Sequence, residues 1–138
     1  MFIFWNSNGH LGFMKLEPAT IYIVDDDASV GSSMARLMRS AGYVARVFSS
    51  ADEFMHTPEF ASYACVIADI QMHGSSGLEL QHLLQERGSS IPVILVTAQD
   101  TDAVRAEAKR FGFAAFFRKP VDDQALIDAI EWSLSQAH

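Results

Sequence analysis

The chain has a single cysteine, Cys65, so no disulfide can form within it and nothing in its cysteine use marks an oxidising compartment. Cys65 lies in the apolar run Ala64-Cys65-Val66-Ile67-Ala68, where a thiol is expected to serve as a small buried hydrophobe. No apolar run approaches the roughly 18–20 residues needed to span a membrane, so no membrane partner is expected. No cluster of Lys and Arg occurs, and with 10 basic against 17 acidic residues the net charge is −7. A nucleic-acid surface would need a basic stripe, so direct nucleic-acid binding is not expected. Proline is scarce, at four residues. The N-terminal stretch lacks both a basic leader and a small-residue cleavage site, so no signal peptide is expected there. A cytoplasmic location is therefore expected.

What is present is enough for one core. The 138 residues fit one domain, and 49% are hydrophobic. Residues 1–18 stand apart: they are aromatic-rich and read as an N-terminal extension of loose order, with residues 19–138 as the domain proper. A sticky arm that packs Phe2, Phe4 and Trp5 on a neighbour is the sharper alternative for that segment.

After residue 18, short apolar runs alternate with amphipathic stretches. The runs are Ile21–Val24, Val44–Phe48, Cys65–Ala68, Val93–Val96 and Ala114–Phe117. Several are apolar at consecutive positions, as strands covered on both faces are. Between them, Val30, Met34, Leu37, Met38 and Ala41 recur at helical spacing, with Gly42 as a stop. Ser50–His56 predicts a short helix capped by Ser49 or Ser50. Leu80, Leu83, Leu84 and Arg87 precede Gly88, and Val104, Ala108 and Phe111 precede Gly112. Leu126, Ile127, Ile130 and Leu134 follow the acidic pair Asp122-Asp123, which suits the positive end of a helix. Five βα units imply a parallel sheet with helices on both faces. Trp132 falls off the main stripe of the last helix and reads equally as an exposed contact patch or a partly buried flank.

In open sheets of this kind ligands lie beyond the carboxyl ends of the strands. The first strand ends in Asp25-Asp26-Asp27, the third in Asp69, the fourth in Thr97-Ala98 and the fifth in Arg118-Lys119-Pro120. The second ends in Ser49-Ser50, which carries nothing distinctive. Carboxylates so close repel one another unless a proton or a cation intervenes. Mg²⁺ answers that need, since it takes few carboxylates together with waters and phosphate oxygens. Lys119 adds a point charge for a phosphate oxygen and Thr97 a hydroxyl donor. A carboxylate such as Asp69 can act as a nucleophile and form an aspartyl phosphate. Each residue also has an ordinary role: an Asp after a strand is often a turn former or cap, and Asp27 is assigned to capping the first helix. The ordered conjunction is what carries the chemistry.

These residues resemble the receiver domains of two-component response regulators. The resemblance rests on Val24-Asp25-Asp26, Asp69-Ile70-Gln71-Met72 with Gly77, Val96-Thr97-Ala98 and Lys119-Pro120. It covers about residues 20 to 136. The wording IYIVDDDASV, FSSADEFM and IPVILVTA is most similar to receivers of the nitrogen-fixation-regulator type. Those usually carry a C-terminal helix-turn-helix output domain, and none is expected within these residues. The resemblance implies a CheY-like, flavodoxin-like (βα)5 fold, a doubly wound sandwich with strand order 2-1-3-4-5. It implies Asp69 as phosphoacceptor, with Mg²⁺ held directly by Asp26 and Asp69, by Asp25 through a water, and by the backbone carbonyl of Gln71. Thr97 and Lys119 would bind the phosphoryl group, Phe116 would be the aromatic switch, and the Lys119–Pro120 bond would be cis. The implied partner is a histidine kinase or phosphotransfer protein. The surface of helix 4, strand 5 and helix 5 is expected to switch, with homodimerisation as one use of it. The role is signalling rather than that of an enzyme acting on other substrates.

One departure concerns His73, which stands where the family usually has proline. It reads as a solvent-exposed loop residue, or alternatively as a pH-sensitive group near the acids. A rival reading takes Asp25-Asp26-Asp27 as the Asp-x-Asp of a haloacid-dehalogenase-type phosphohydrolase with Asp25 as nucleophile. It leaves Asp69 without a role. A flavodoxin-like cofactor module is disfavoured, because three aspartates would repel a bare phosphate.

Overall fold

Runs of consecutive apolar residues become strands covered on both faces, because only a doubly buried strand hides every side chain. A computed structural model describes residues 2–5, 9, 11–14, 18–71 and 77–137, with 2–5, 11–14 and 137 as backbone only. Strands β1 (Phe2–Trp5) and β2 (Leu11–Met14) pair antiparallel in a two-stranded sheet of their own, in a region where the residue pattern predicts no element. The main sheet comprises β3 (Thr20–Val24), β4 (Val44–Phe48), β5 (Ala64–Asp69), β6 (Val93–Thr97) and β7 (Ala115–Arg118). All its pairings are parallel, in the order β4-β3-β5-β6-β7, which is 2-1-3-4-5 counted within this sheet. Five helices alternate with these strands: α1 (Ala28–Ser40), α2 (Ala51–Met55), α3 (Gly77–Glu86), α4 (Asp102–Arg110) and α5 (Asp123–Ala137). The expected flavodoxin-like (βα)5 sandwich is the observed fold.

The two-residue alternation of the strands divides the core. Ile21, Ile23, Cys65, Ile67, Ile94 and Val96 face α1 and α5, meeting Ala35, Met38, Leu126, Ile130 and Leu134. Tyr22, Val24, Val66 and Ala68 face the other way, onto Phe54 of α2 and Leu80 and Leu84 of α3. Leu95 and Ile70 pack on Ala108 of α4. Burial pushes the Cys65 thiol up to about 12. Trp132, by contrast, is 55% exposed on the outer side of α5.

Side chains fix where the helices begin. Asp27 caps α1, its Oδ1 accepting from the Ser29 and Val30 amides and the Ser29 hydroxyl. Ser50 caps α2 by accepting from the Glu53 amide at 3.0 Å, and the Glu53 carboxylate reaches back to the Ser49 amide at 2.9 Å. Gly42 follows α1 with φ +93°, a left-handed turn that a residue with a Cβ enters only under strain.

Arg87, just past α3, ties down the connection between α2 and β5. Its guanidinium donates to the carbonyls of Met55, Thr57 and Pro58 and lies 4.4 Å from the centroid of the Phe60 ring. Phe60 in turn stacks on Phe54 at 4.8 Å. Removing the side chain leaves the part-buried Thr57 carbonyl without its donor and ends the contact with Phe60, so Arg87→Ala is expected to cost about 2 kcal/mol in urea unfolding. Amides from Thr57 to Tyr63 should also exchange faster with solvent. An unchanged urea midpoint would show that the contact is incidental.

Candidate functional site

The chain leaves β3 for β4 on one side and then returns to lay β5 on the other, so the connections diverge between β3 and β5. Such a crevice opens at the carboxyl ends of the strands. Val24 and Ala68 are register partners, which places the next residues, Asp25 and Asp69, side by side. Thr97 ends β6 opposite Arg118, and the Lys119 amide donates to the Thr97 carbonyl at 2.8 Å. The sheet thereby delivers two acids, one hydroxyl and one amine to a single rim.

Lys119 is the hub. Its Nζ donates to Asp69 Oδ2 at 2.7 Å and to Asp25 Oδ2 at 3.2 Å. Each acid is held in the same way at its other oxygen: Asp25 Oδ1 accepts from the Asp27 amide at 2.9 Å, and Asp69 Oδ1 from the Gln71 amide at 3.0 Å. Both carboxylates are thus clamped between an amide two residues on and the same ammonium. Asp25 is 3% exposed, and burial raises its carboxyl above the ordinary range; the Asp27 amide and Lys119 oppose the rise, and Asp69 adds to it. Burial pushes the Lys119 ammonium down, but its contacts with Asp69 and Asp25 outweigh this and leave it raised. The Lys119–Pro120 bond is cis.

Thr97 is fully buried, and its Oγ1 accepts from the Gln99 amide at 3.0 Å, a bond that does not use its O–H, so the hydroxyl can donate to a ligand. Phe116 is half-buried on β7, with the Arg105 guanidinium 5.9 Å from its ring centroid. Arg105 also forms a bidentate pair with Asp100. Asp26 lies on the exposed rim beside Asp25, while Asp27 is committed to its helix cap. Gln71 is exposed and next to Asp69; the loop beyond it, with His73, falls outside the described residues.

Among the described residues no three acids, histidines or cysteines form a ready metal cluster. What stands at the rim is a pair of carboxylates, Asp25 and Asp69, bridged by the Lys119 ammonium, with the exposed Asp26 beside Asp25. That set fits Mg²⁺, which keeps several waters and needs only one or two carboxylates. A cage of side chains would suit other ions better.

Two surfaces flank the rim that the strand-end motifs did not indicate. One is an apolar groove of about 540 Å³ between α1 and the β7–α5 turn, lined by Val30, Met34, Leu37, Val121 and Leu126 and opening beside Lys119. The other, of about 450 Å³, lies between α4 and β7 and brings Arg105, Lys109 and Arg118 together with Phe113, Phe116 and Phe117. No linear Lys/Arg cluster announces those three cations; the fold assembles them.

Comparison with known proteins agrees with the geometry. Residues 21–131 match the response regulator receiver domain family. The transcriptional regulatory protein TdiR of Thauera aromatica is 36% identical over 117 residues, covering 85% of this chain and 52% of that protein. The transcriptional regulatory protein FixJ of Azorhizobium caulinodans is 35% identical over 121 residues, covering 88% of this chain and 57% of that protein. The chain therefore spans little more than half the length of these relatives. The crystal structure of FixJ-N superposes with a TM-score of 0.79 at 29% identity, covering 87% of this chain and 96% of that one. The haloacid-dehalogenase alternative, with Asp25 as nucleophile, finds no support: the family matched along the domain is a different one.

Proposed function

The chain belongs to the response regulator receiver family, and from that premise we propose that Asp69 is its phosphoacceptor. The observation that carries this reading is the Lys119 ammonium bound at 2.7 Å to Asp69 and at 3.2 Å to Asp25. The donor is a phosphohistidine on a histidine kinase or phosphotransfer protein. An Asp69 oxygen attacks the phosphorus, the P–N bond breaks, and its electron pair returns to the imidazole ring. Lys119 then turns from the two carboxylates to a phosphoryl oxygen, and the Thr97 O–H donates to another. Bound at Asp25, Asp26, Asp69 and the Gln71 carbonyl, Mg²⁺ would supply positive charge for the phosphoryl oxygens.

Thr97 drawn toward the phosphoryl group leaves space for Phe116 to turn inward. The face of α4, β7 and α5 is then repacked, a two-state shift biased by one charged group. That face changes its affinity for a second copy or for another partner. The relatives' names point to regulation of transcription as the output, with this part of the chain as the regulatory unit and with the cytoplasm as its compartment.

The test is to incubate the protein with Mg²⁺ and acetyl phosphate, then map the labelled peptide. Label on Asp69 is expected; label on Asp25, or none, would sink the reading. The groove beside Lys119 adds a prediction about the donor. A protein presenting its phosphohistidine at Asp69 must lie against Met34 and Leu37. Met34→Glu is therefore expected to slow transfer from such a protein roughly tenfold or more, while labelling by acetyl phosphate stays near wild type. Equal slowing with both donors would remove the groove from the docking surface.

A further inference from the structure

Gly77 opens α3, and its backbone does not explain why it is glycine. Among the described residues the glycines with positive φ are Gly9, Gly42, Gly88 and Gly112, and Gly77 is not one of them. The reason is space. A Cβ at position 77 would lie 2.6 Å from the main-chain oxygen of Asp69, 3.0 Å from its carbonyl carbon and 2.9 Å from Leu95 Cδ1. Carbon–oxygen contacts normally begin at roughly 3.3 Å, so an added methyl would force a displacement of roughly 0.7 Å.

Neither side yields easily. Leu95 is fully buried in the sheet core. The main chain at Asp69 is paired with Val96 of β6, and the next amide, of Ile70, donates to the Val96 carbonyl at 3.3 Å. The Gly77 amide also faces the Ile70 carbonyl at 3.4 Å, so the start of α3 closes onto the end of β5. The carboxylate that Lys119 and the Gln71 amide hold belongs to the residue that Gly77 touches.

We propose that Gly77 is a positioning residue for Asp69: its missing side chain lets the first turn of α3 rest on the main chain of the acceptor, and that contact sets where the Asp69 carboxylate lies. The proposal rests on Asp69 being the acceptor. A misplacement of about 1 Å in reacting groups costs on the order of 10²-fold in rate, so a shift of this size is a loss of roughly 10- to 100-fold. Gly31 provides a matched control. A Cβ there would lie 2.8 Å from Val47 Cγ1, a partly exposed side chain on the edge strand β4 that can move aside.

The experiment compares wild type, Gly77→Ala, Gly31→Ala and the double variant Gly77→Ala/Leu95→Val. Labelling rates are measured with acetyl phosphate at saturating Mg²⁺, urea midpoints are recorded, and the ¹³C carbonyl shift of Asp69 is followed in the metal-free proteins. The expected result is a folded Gly77→Ala that labels 10- to 100-fold more slowly with a displaced Asp69 carbonyl resonance, while Gly31→Ala labels within about twofold of wild type. The double variant removes the clash with Leu95 and keeps the one with Asp69. It should recover stability and remain slow, which decides the matter if Gly77→Ala alone unfolds. Wild-type labelling in Gly77→Ala, full recovery of rate in the double variant, equal slowing in Gly31→Ala, or a double variant that still cannot fold would each overturn the proposal. Failure of the acceptor assignment looks different: wild type itself would then carry no label on Asp69.

Discussion

Asp69→Asn is expected to end phosphoryl uptake from acetyl phosphate, with a loss of at least roughly 10³-fold, as follows when a nucleophile is removed. The substitution is nearly isosteric. The oxygen of the introduced carboxamide can still accept from the Gln71 amide, so the turn after β5 is kept. The second oxygen, now held by the Lys119 ammonium at 2.7 Å, becomes an amide nitrogen. A donor then faces a donor, and Lys119 is left with Asp25 alone. The variant therefore loses both the attacking oxygen and the charge that places the lysine. Intact mass after incubation with Mg²⁺ and acetyl phosphate gives the answer, with far-UV circular dichroism to confirm folding. Undiminished labelling would mean that another carboxylate is the acceptor.

Asp25→Asn should separate stability from function. The Asp25 carboxyl is raised because burial penalises its charge, and the neighbouring Asp69 adds to the rise. A raised acid binds its proton more tightly in the folded than in the unfolded chain. Wild type therefore gains stability as pH falls through the raised value and gives it up as pH climbs back above it. At pH 7 the ionised Asp25 is a net cost, since burial outweighs its contact with Lys119; a neutral carboxamide removes that cost and gives up the contact, while Lys119 keeps Asp69. With Mg²⁺ chelated, Asp25→Asn is expected to unfold at higher urea than wild type at pH 7, by about 1 kcal/mol. The advantage should vanish in acid, where wild-type Asp25 is already neutral. Adding Mg²⁺ should reverse the order, because an ion bound only by the folded state stabilises it. Losing one carboxylate of the set should weaken that binding roughly 10- to 100-fold. A lower urea midpoint under chelation, or an unchanged response to Mg²⁺, would refute the assignment.

The sheet was legible because its inner strands are hydrophobic at nearly every position, and β5 and β6 are buried almost throughout. The boundaries were less so, for a physical reason. The apolar run stops at Ala68, but the ladder continues through Asp69, which pairs with Val96; likewise Phe117 is followed by Arg118, paired with Thr97. Polar residues at strand ends are still part of the sheet, so hydrophobicity undercounts the strand by one residue, and at β5 that residue is the candidate acceptor. The gathering of Asp25, Asp69, Thr97 and Lys119 on one rim follows from strand order and was readable. Which acid faces the lysine was not. Asp27 was separable by its place just before the first helix, and it is the cap; Asp25 and Asp26 were not, and the structure buries Asp25 and leaves Asp26 exposed. Gly77 stood in the motif, but its contact with Asp69 needs coordinates, because no periodicity reports a distance across a turn. Arg87 and the cations around Phe116 are hidden for the same reason, since their partners lie far away along the chain.

The depth of Cys65 has a practical meaning. The sulfur sits at zero exposure in the middle of the central sheet, in a chain with no other thiol, and resists ionisation up to about 12. Fraying of a helix end or breathing of the acidic rim does not uncover it; only parting of α1 and α5 from the sheet does. The chain thus carries its own gauge of global opening, chemically silent while the domain is closed and independent of whatever occupies the carboxylates at the rim.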